Sequence, residues 1–121
     1  TIVSYGIGII WMQDFIDKNP SYKELLEIID LRTLLPWDKD TVVESIKKTN
    51  KLLIINEDSI TGSISGEISA YIAENAFEYL DAPILRLGSL DTPIPFSQKL
   101  EKEIYFPINK IEESIEKLME Y

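Results

Sequence analysis

Four groups of residues in this 121-residue chain have types and spacings that could carry chemistry. Gly6-Ile7-Gly8, with Asp30 about 20 residues further on, imitates a dinucleotide fingerprint, in which glycines admit a pyrophosphate and an acid takes the ribose. The third glycine position is Trp11, and a bulky ring there forbids the close helix–strand packing that the fingerprint needs. Turn glycines are the plainer reading. Thr61-Gly62-Ser63-Ile64-Ser65-Gly66 opens a predicted helix, where free backbone N–H groups can hold an anion. It lacks the lysine of a P-loop and is surrounded by Glu57, Asp58 and Glu67, so a capping turn is the plainer reading here too.

Glu57 stands just beyond the apolar run Leu52-Leu53-Ile54-Ile55, where ligands of open α/β sheets tend to bind. A buried carboxylate there could act as acid or base, but no second catalytic group can be named. A structural hydrogen-bond acceptor is the simpler role. The fourth group is the most informative. Glu67, Tyr71, Glu74, Glu78 and Asp81 follow each other at alternating spacings of four and three. On one helix they fall within about 80° of arc, opposite Ile68, Ile72, Ala76 and Leu80. Glu74 and Glu78 repel across one turn, and no Lys or Arg lies between residues 64 and 80. Such an acidic stripe with an embedded tyrosine suits a basic partner, against the alternative of a solvated face.

Composition narrows the choices. The chain has no His and no Cys, so Ser-His-Asp and Cys-His nucleophile systems are excluded and a zinc site lacks its usual ligands. Absent thiols fit a reducing compartment. The net charge is −9, with 12 Lys and Arg against 21 Asp and Glu, which disfavours nucleic acid as a partner. No apolar run approaches the roughly 20 residues of a membrane span, and no targeting segment is visible. The charge is uneven: residues 56–96 hold seven acids and the single base Arg86.

The elements that position these residues alternate. Ile2-Val3-Ser4-Tyr5 reads as a strand, residues 9–18 as a helix ended by Asn19-Pro20, and residues 25–30 as a second strand. Asp38 or Asp40 caps a helix presenting Val42, Val43 and Ile46 inward and ending in Lys47 and Lys48. Leu52-Leu53-Ile54-Ile55 is a central parallel strand, residues 66–80 the longest helix, and Ile84-Leu85-Arg86-Leu87 a fourth strand. A Pro-containing stretch over 88–106 reads as irregular, and a final helix starts at Pro107 with Ile108, Ile111, Ile115 and Leu118 at helical spacing. This alternation predicts an α/β domain with a mostly parallel sheet.

Ile29-Asp30-Leu31-Arg32-Thr33-Leu34-Leu35-Pro36-Trp37-Asp38, the strand ending in Glu57, Leu80-Asp81-Ala82-Pro83-Ile84 with Arg86, and Asp91-Thr92-Pro93-Ile94-Pro95-Phe96 together carry a family resemblance. The chain resembles the C-terminal domain of the beta subunit of a thiamine-dependent 2-oxoacid dehydrogenase, of pyruvate or branched-chain 2-oxoisovalerate type. The resemblance implies a three-layer transketolase C-terminal fold over residues 1–121: five strands, one antiparallel, with helices on both faces. It implies a parent subunit whose N-terminal pyrimidine-binding domain is absent from this chain. That parent would use thiamine diphosphate and magnesium, held outside the fragment, to decarboxylate a 2-oxoacid and pass the acyl group to lipoyl-lysine.

The implied partners are an alpha subunit, a second beta subunit and the basic subunit-binding domain of the acyltransferase, in a bacterial cytoplasm or mitochondrial matrix. Arg32 and Glu57 are then expected to organise the domain or its subunit contacts. Glu67, Tyr71, Glu74, Glu78, Asp81, Asp91, Glu101, Glu103 and Tyr121 are expected at partner interfaces. Asn56 stands where many relatives have His, and Gly62-Ser63-Ile64-Ser65-Gly66 replaces a Gly-Gly-x-Gly stretch. The competing expectation is a stand-alone small-ligand or nucleotide-binding module using Gly6, Gly8 and the 62–66 turn.

Overall fold

The computed structural model describes residues 1–104 and 107–121. Strands β1 (Ile2–Ser4), β2 (Ile28–Asp30), β3 (Leu53–Ser59) and β4 (Leu85–Ser89) are linked by helices α1 (Ile7–Lys18), α2 (Lys39–Thr49) and α3 (Ile64–Asn75). Two more helices follow, α4 (Gln98–Ile104) and α5 (Ile111–Met119). The strands pair in the order β2-β1-β3-β4, every pair parallel. Parallel neighbours cannot be joined by tight hairpins, which is why a helix separates each strand from the next.

Side chains alternate across a strand, so neighbouring residues feed opposite layers. Ile2, Leu53, Ile55 and Leu87 pack with Trp11 and Phe15 of α1 and with Ile115 of α5. Val3 and Ile54 pack with Val42 and Ile46 of α2 and with Ile68 and Ile72 of α3. A sheet covered on both faces needs uninterrupted apolar strands, and Leu53, Ile54 and Ile55 are each at most 1% exposed. Asp38 caps α2, accepting from the Thr41 N–H at 3.0 Å and from its hydroxyl at 2.7 Å. Asn50 ends the helix in the left-handed region at φ 58°, a conformation asparagine tolerates better than most residues.

The expected sheet of five strands with one antiparallel is corrected: the described residues form four strands, all parallel. The chain after β4 carries Pro93 and Pro95, whose missing N–H groups offer fewer donors to a ladder, and it winds into α4 inside a stretch expected to be irregular. The expected helix through residue 80 stops at Asn75. Asn75 turns its side-chain amide back onto the Tyr71 carbonyl at 2.8 Å. The chain beyond is tied to the end of α2: Asn50 donates to the Tyr79 carbonyl and accepts from the Asp81 N–H, each at 2.8 Å. Phe77–Tyr79 is therefore a separate 3-10 turn. The final helix begins at Ile111, after a 3-10 turn over Pro107–Lys110. Ile108 is 43% exposed rather than part of the buried row. Phe106, the last residue of the expected irregular stretch, lies outside the described residues.

Candidate functional site

At the carboxyl end of the sheet, the turns after β1 and β3 lie side by side. Gly6 adopts φ 55°, open to glycine at no steric penalty, and a Cβ built on it would stand 3.8 Å from Oε1 of Glu57. The half-buried Glu57 carboxylate thus reaches over the β1–α1 turn. Burial, with Asp58 and Glu57 nearby, raises the Tyr5 hydroxyl above its ordinary pKa. Gly8 has a packing role: a Cβ there would strike the Ser4 Oγ, which donates to the Ile55 carbonyl at 2.7 Å. Trp11 is buried in the core. These glycines bring α1 close to the sheet, and a carboxylate stands where a pyrophosphate would need positive charge.

Asn56 is fully buried beside Glu57; its amide donates to the Asp58 carbonyl at 2.8 Å, and its Oδ1 has no hydrogen-bond partner among the described residues. Arg32 pairs with Asp30, Nε to Oδ2 at 3.0 Å, and its side chain is 84% exposed. Its backbone sits at φ 56°, where a non-glycine residue costs about 1–2 kcal/mol. The Thr33 N–H bonds the Leu31 carbonyl across it at 2.5 Å, and the Leu31 N–H bonds Ser4 of β1 at 2.9 Å, which holds the turn to the sheet.

The 62–66 turn belongs to the start of α3. Gly62 is at φ 79°, and the Ser63 hydroxyl pairs with Ser65 at 2.6 Å. Thr61 is clasped by Asp91, whose carboxylate accepts from the Thr61 N–H and hydroxyl. Those two hydrogen bonds hold the Asp91 carboxyl below its ordinary pKa.

The acidic row does not lie on one helix. Glu67, Tyr71 and Glu74 are on α3, Glu78 is in the 3-10 turn, and Asp81 follows it. Glu67, Glu74, Glu78 and Asp81 are exposed, whereas Tyr71 is half-buried. The Tyr71 ring meets Trp37 edge-on at 5.2 Å between centroids, and Lys39 Nζ lies 4.3 Å from its centre. Lys47 Nζ lies 5.3 Å from the Tyr79 ring. Its hydrogen bond with Glu44 raises its pKa, with smaller contributions from Tyr79 and Glu78. Bases of α2 therefore flank the row at Tyr71 and Glu78, a pairing between helices that spacing along α3 could not reveal. Glu101 and Glu103 lie on α4, and Tyr121 is 62% exposed at the other end of α5.

The structure brings Glu57 to the β1–α1 turn and Asp91 to the β3–α3 turn, and leaves Glu101, Glu103 and Tyr121 on other elements. Among the described residues, no three His, Cys, Asp or Glu side chains cluster as metal ligands, and no helix is long and apolar enough to cross a membrane. At this end of the sheet the Glu57 carboxylate stands over Gly6.

Residues 1–111 match the family of the transketolase C-terminal domain. Over 102 residues the chain is 41% identical to the pyruvate dehydrogenase E1 component subunit beta of Rhizobium meliloti (strain 1021), covering 84% of this chain and 22% of that protein. It is 35% identical over 124 residues to the 2-oxoisovalerate dehydrogenase subunit beta of Bacillus subtilis (strain 168), covering 100% of this chain and 37% of that one. A mitochondrial 2-oxoisovalerate dehydrogenase subunit beta 2 of Arabidopsis thaliana is 38% identical over 122 residues, covering 100% of this chain and 33% of its own length. The chain thus spans 22–37% of these relatives. Among solved structures, a split gene transketolase, described as an inactive beta4 tetramer, superposes with a TM-score of 0.74 at 19% identity, over 97% of this chain and 37% of that one.

Proposed function

This chain belongs to the transketolase C-terminal domain family, and on that premise we propose that it is the assembly domain of a 2-oxoacid dehydrogenase beta subunit. The observation that carries the reading is that its whole length aligns with beta subunits of both the pyruvate and the 2-oxoisovalerate enzymes. In this reading residues 1–121 form one domain, and the parent subunit also carries a pyrimidine-binding domain. Thiamine diphosphate with magnesium, held outside this chain, supplies the decarboxylation chemistry in the parent enzyme, as cofactors do for reactions that side chains cannot perform. The parent oxidatively decarboxylates a 2-oxoacid and transfers the acyl group to lipoyl-lysine. Bacterial and mitochondrial relatives support a bacterial cytoplasm or mitochondrial matrix as its compartment.

The domain's own work is contact. Its partners are the alpha subunit, a second beta subunit and the basic subunit-binding domain of the acyltransferase. Glu67, Glu74, Glu78 and Asp81 offer exposed carboxylates to that basic domain, while Tyr71 braces α3 against Trp37 and Lys39. Asp91, Glu101, Glu103 and Tyr121 are further contact residues, with Arg32 and Glu57 shaping the turns at the carboxyl end of the sheet. Binding of this chain to a purified basic subunit-binding domain is expected to weaken markedly from low to physiological salt, because screening acts on exposed charges. Salt-insensitive binding, or none, overturns the docking assignment.

A further inference from the structure

We propose that the outer edge of β4 is a docking site for an extended acidic peptide segment of a partner chain. The inference stands apart from basic-domain docking on α3 and does not depend on it. Within β4, Leu85 donates to Leu52 and Ser89 accepts from Ile60, so alternate residues face β3. The N–H and C=O of Arg86 and Gly88 then turn to the outer side, where no strand pairs with them among the described residues. Such an edge is a template for main-chain hydrogen bonding by an extended chain.

Side chains give this edge its preference. A crevice of about 190 Å³ runs along it, lined in part by Ile60, Arg86, Gly88, Asp91 and Lys110. Arg86 is the only base between residues 56 and 96. It registers with Ile54 and so stands on the α2–α3 face, while Lys110 immediately precedes α5 on the opposite face. Among the described residues neither cation has an ion-pair partner; the Arg86 guanidinium donates to the Ile60 carbonyl at 3.5 Å and lies beside Gly66 of α3. Asp91, the acid in the crevice, is already engaged by Thr61.

Adjacent residues of an added extended chain point to opposite faces. Two consecutive acids therefore present one carboxylate to Arg86 and one to Lys110, each a charge-assisted hydrogen bond. The probe is the end-blocked hexapeptide Thr-Val-Glu-Asp-Val-Thr, added to the 121-residue chain and followed by amide exchange and affinity. The expected result is slowed exchange at Arg86 and Gly88, with the Gln-Asn version of the peptide binding about tenfold more weakly. Arg86→Gln and Lys110→Gln, both exposed and expected to fold, should each weaken binding several-fold. The proposal is overturned if the two peptides bind alike, if protection falls on other strands, or if neither substitution matters. It is equally overturned if acetate at matched carboxylate concentration produces the same effect, since the site would then take a small anion only.

Discussion

Asp91 accepts two hydrogen bonds from Thr61, at 3.1 Å from its N–H and 2.5 Å from its hydroxyl. One carboxylate thereby fastens the turn after β4 to the turn after β3. Because these bonds favour the charged form, the carboxyl titrates below its ordinary value. A depressed carboxyl contributes stability that is present above its unfolded pKa and lost as pH falls through its folded one. The clasp should therefore hold at neutral pH and open in acid, below the usual carboxylate range. The Thr61 amide is expected to exchange about three to ten times faster in Asp91→Ala, as the loss of a typical hydrogen bond implies, and its acid-induced rise should vanish in that variant. An unchanged acid profile would show that another group controls this turn.

Gly8 and Gly88 make a contrasting pair. A Cβ on Gly8 collides with the Ser4 side chain but meets the Ile55 carbonyl only at 3.4 Å. Gly8→Ala should therefore destabilise by about 1–3 kcal/mol, and Ser4→Ala should relieve much of that, because contacting sites couple. A Cβ on Gly88 comes within 2.6 Å of the Asp58 backbone carbonyl, where no side-chain truncation makes room. Gly88→Ala should lower the denaturant midpoint, and Asn56→Ala should not restore it. Equal rescue in both pairs would refute the distinction.

The sheet and its helices were legible because burial on both faces leaves a direct trace, as in the apolar run of β3, and because Asp38 and the Ile111, Ile115 and Leu118 spacing carry local signals. What escaped was set by contacts between distant residues. The hydrogen bonds between Asn50 and the 79–81 segment end the helical run that Ile68, Ile72, Ala76 and Leu80 suggested. The Lys39–Tyr71 contact joins residues 32 positions apart, so the tyrosine looked outward-facing in sequence and is half-buried in the fold. Glu57 and Arg32 stand out by their types and positions in the sequence, yet their places over Gly6 and beside Asp30 depend on how neighbouring turns lie together.

Tyr71 braces the loop before α2 against α3 through its edge-on contact with Trp37. Aromatic pairs of this kind are worth about 0.5–1.5 kcal/mol beyond area burial. Tyr71→Leu, which keeps most of the apolar bulk, should destabilise by about that amount and increase quenching of Trp37 fluorescence. A Trp11→Phe background isolates the signal, since the chain has only two tryptophans. Loss of stability without any change at Trp37 would place the contribution elsewhere.

The exposed acids of the row should not contribute equally to docking. Lys47 already answers part of the Glu78 charge, whereas α3 has no base of its own to offset Glu67 or Glu74. Reversing Glu67 and Glu74 together to Lys changes two charges that have no ion pair among the described residues, on an exposed helix face, and should leave stability within about 0.5 kcal/mol per site, as surface changes usually do. Affinity for the basic subunit-binding domain should then fall by about tenfold or more at low salt, with the two proteins converging as salt screens the difference. Glu78→Lys should weaken docking less and destabilise the chain more, because the new cation repels Lys47. If Glu78→Lys proves the most damaging to binding while stability stays level, the docking face centres on the 3-10 turn rather than on α3.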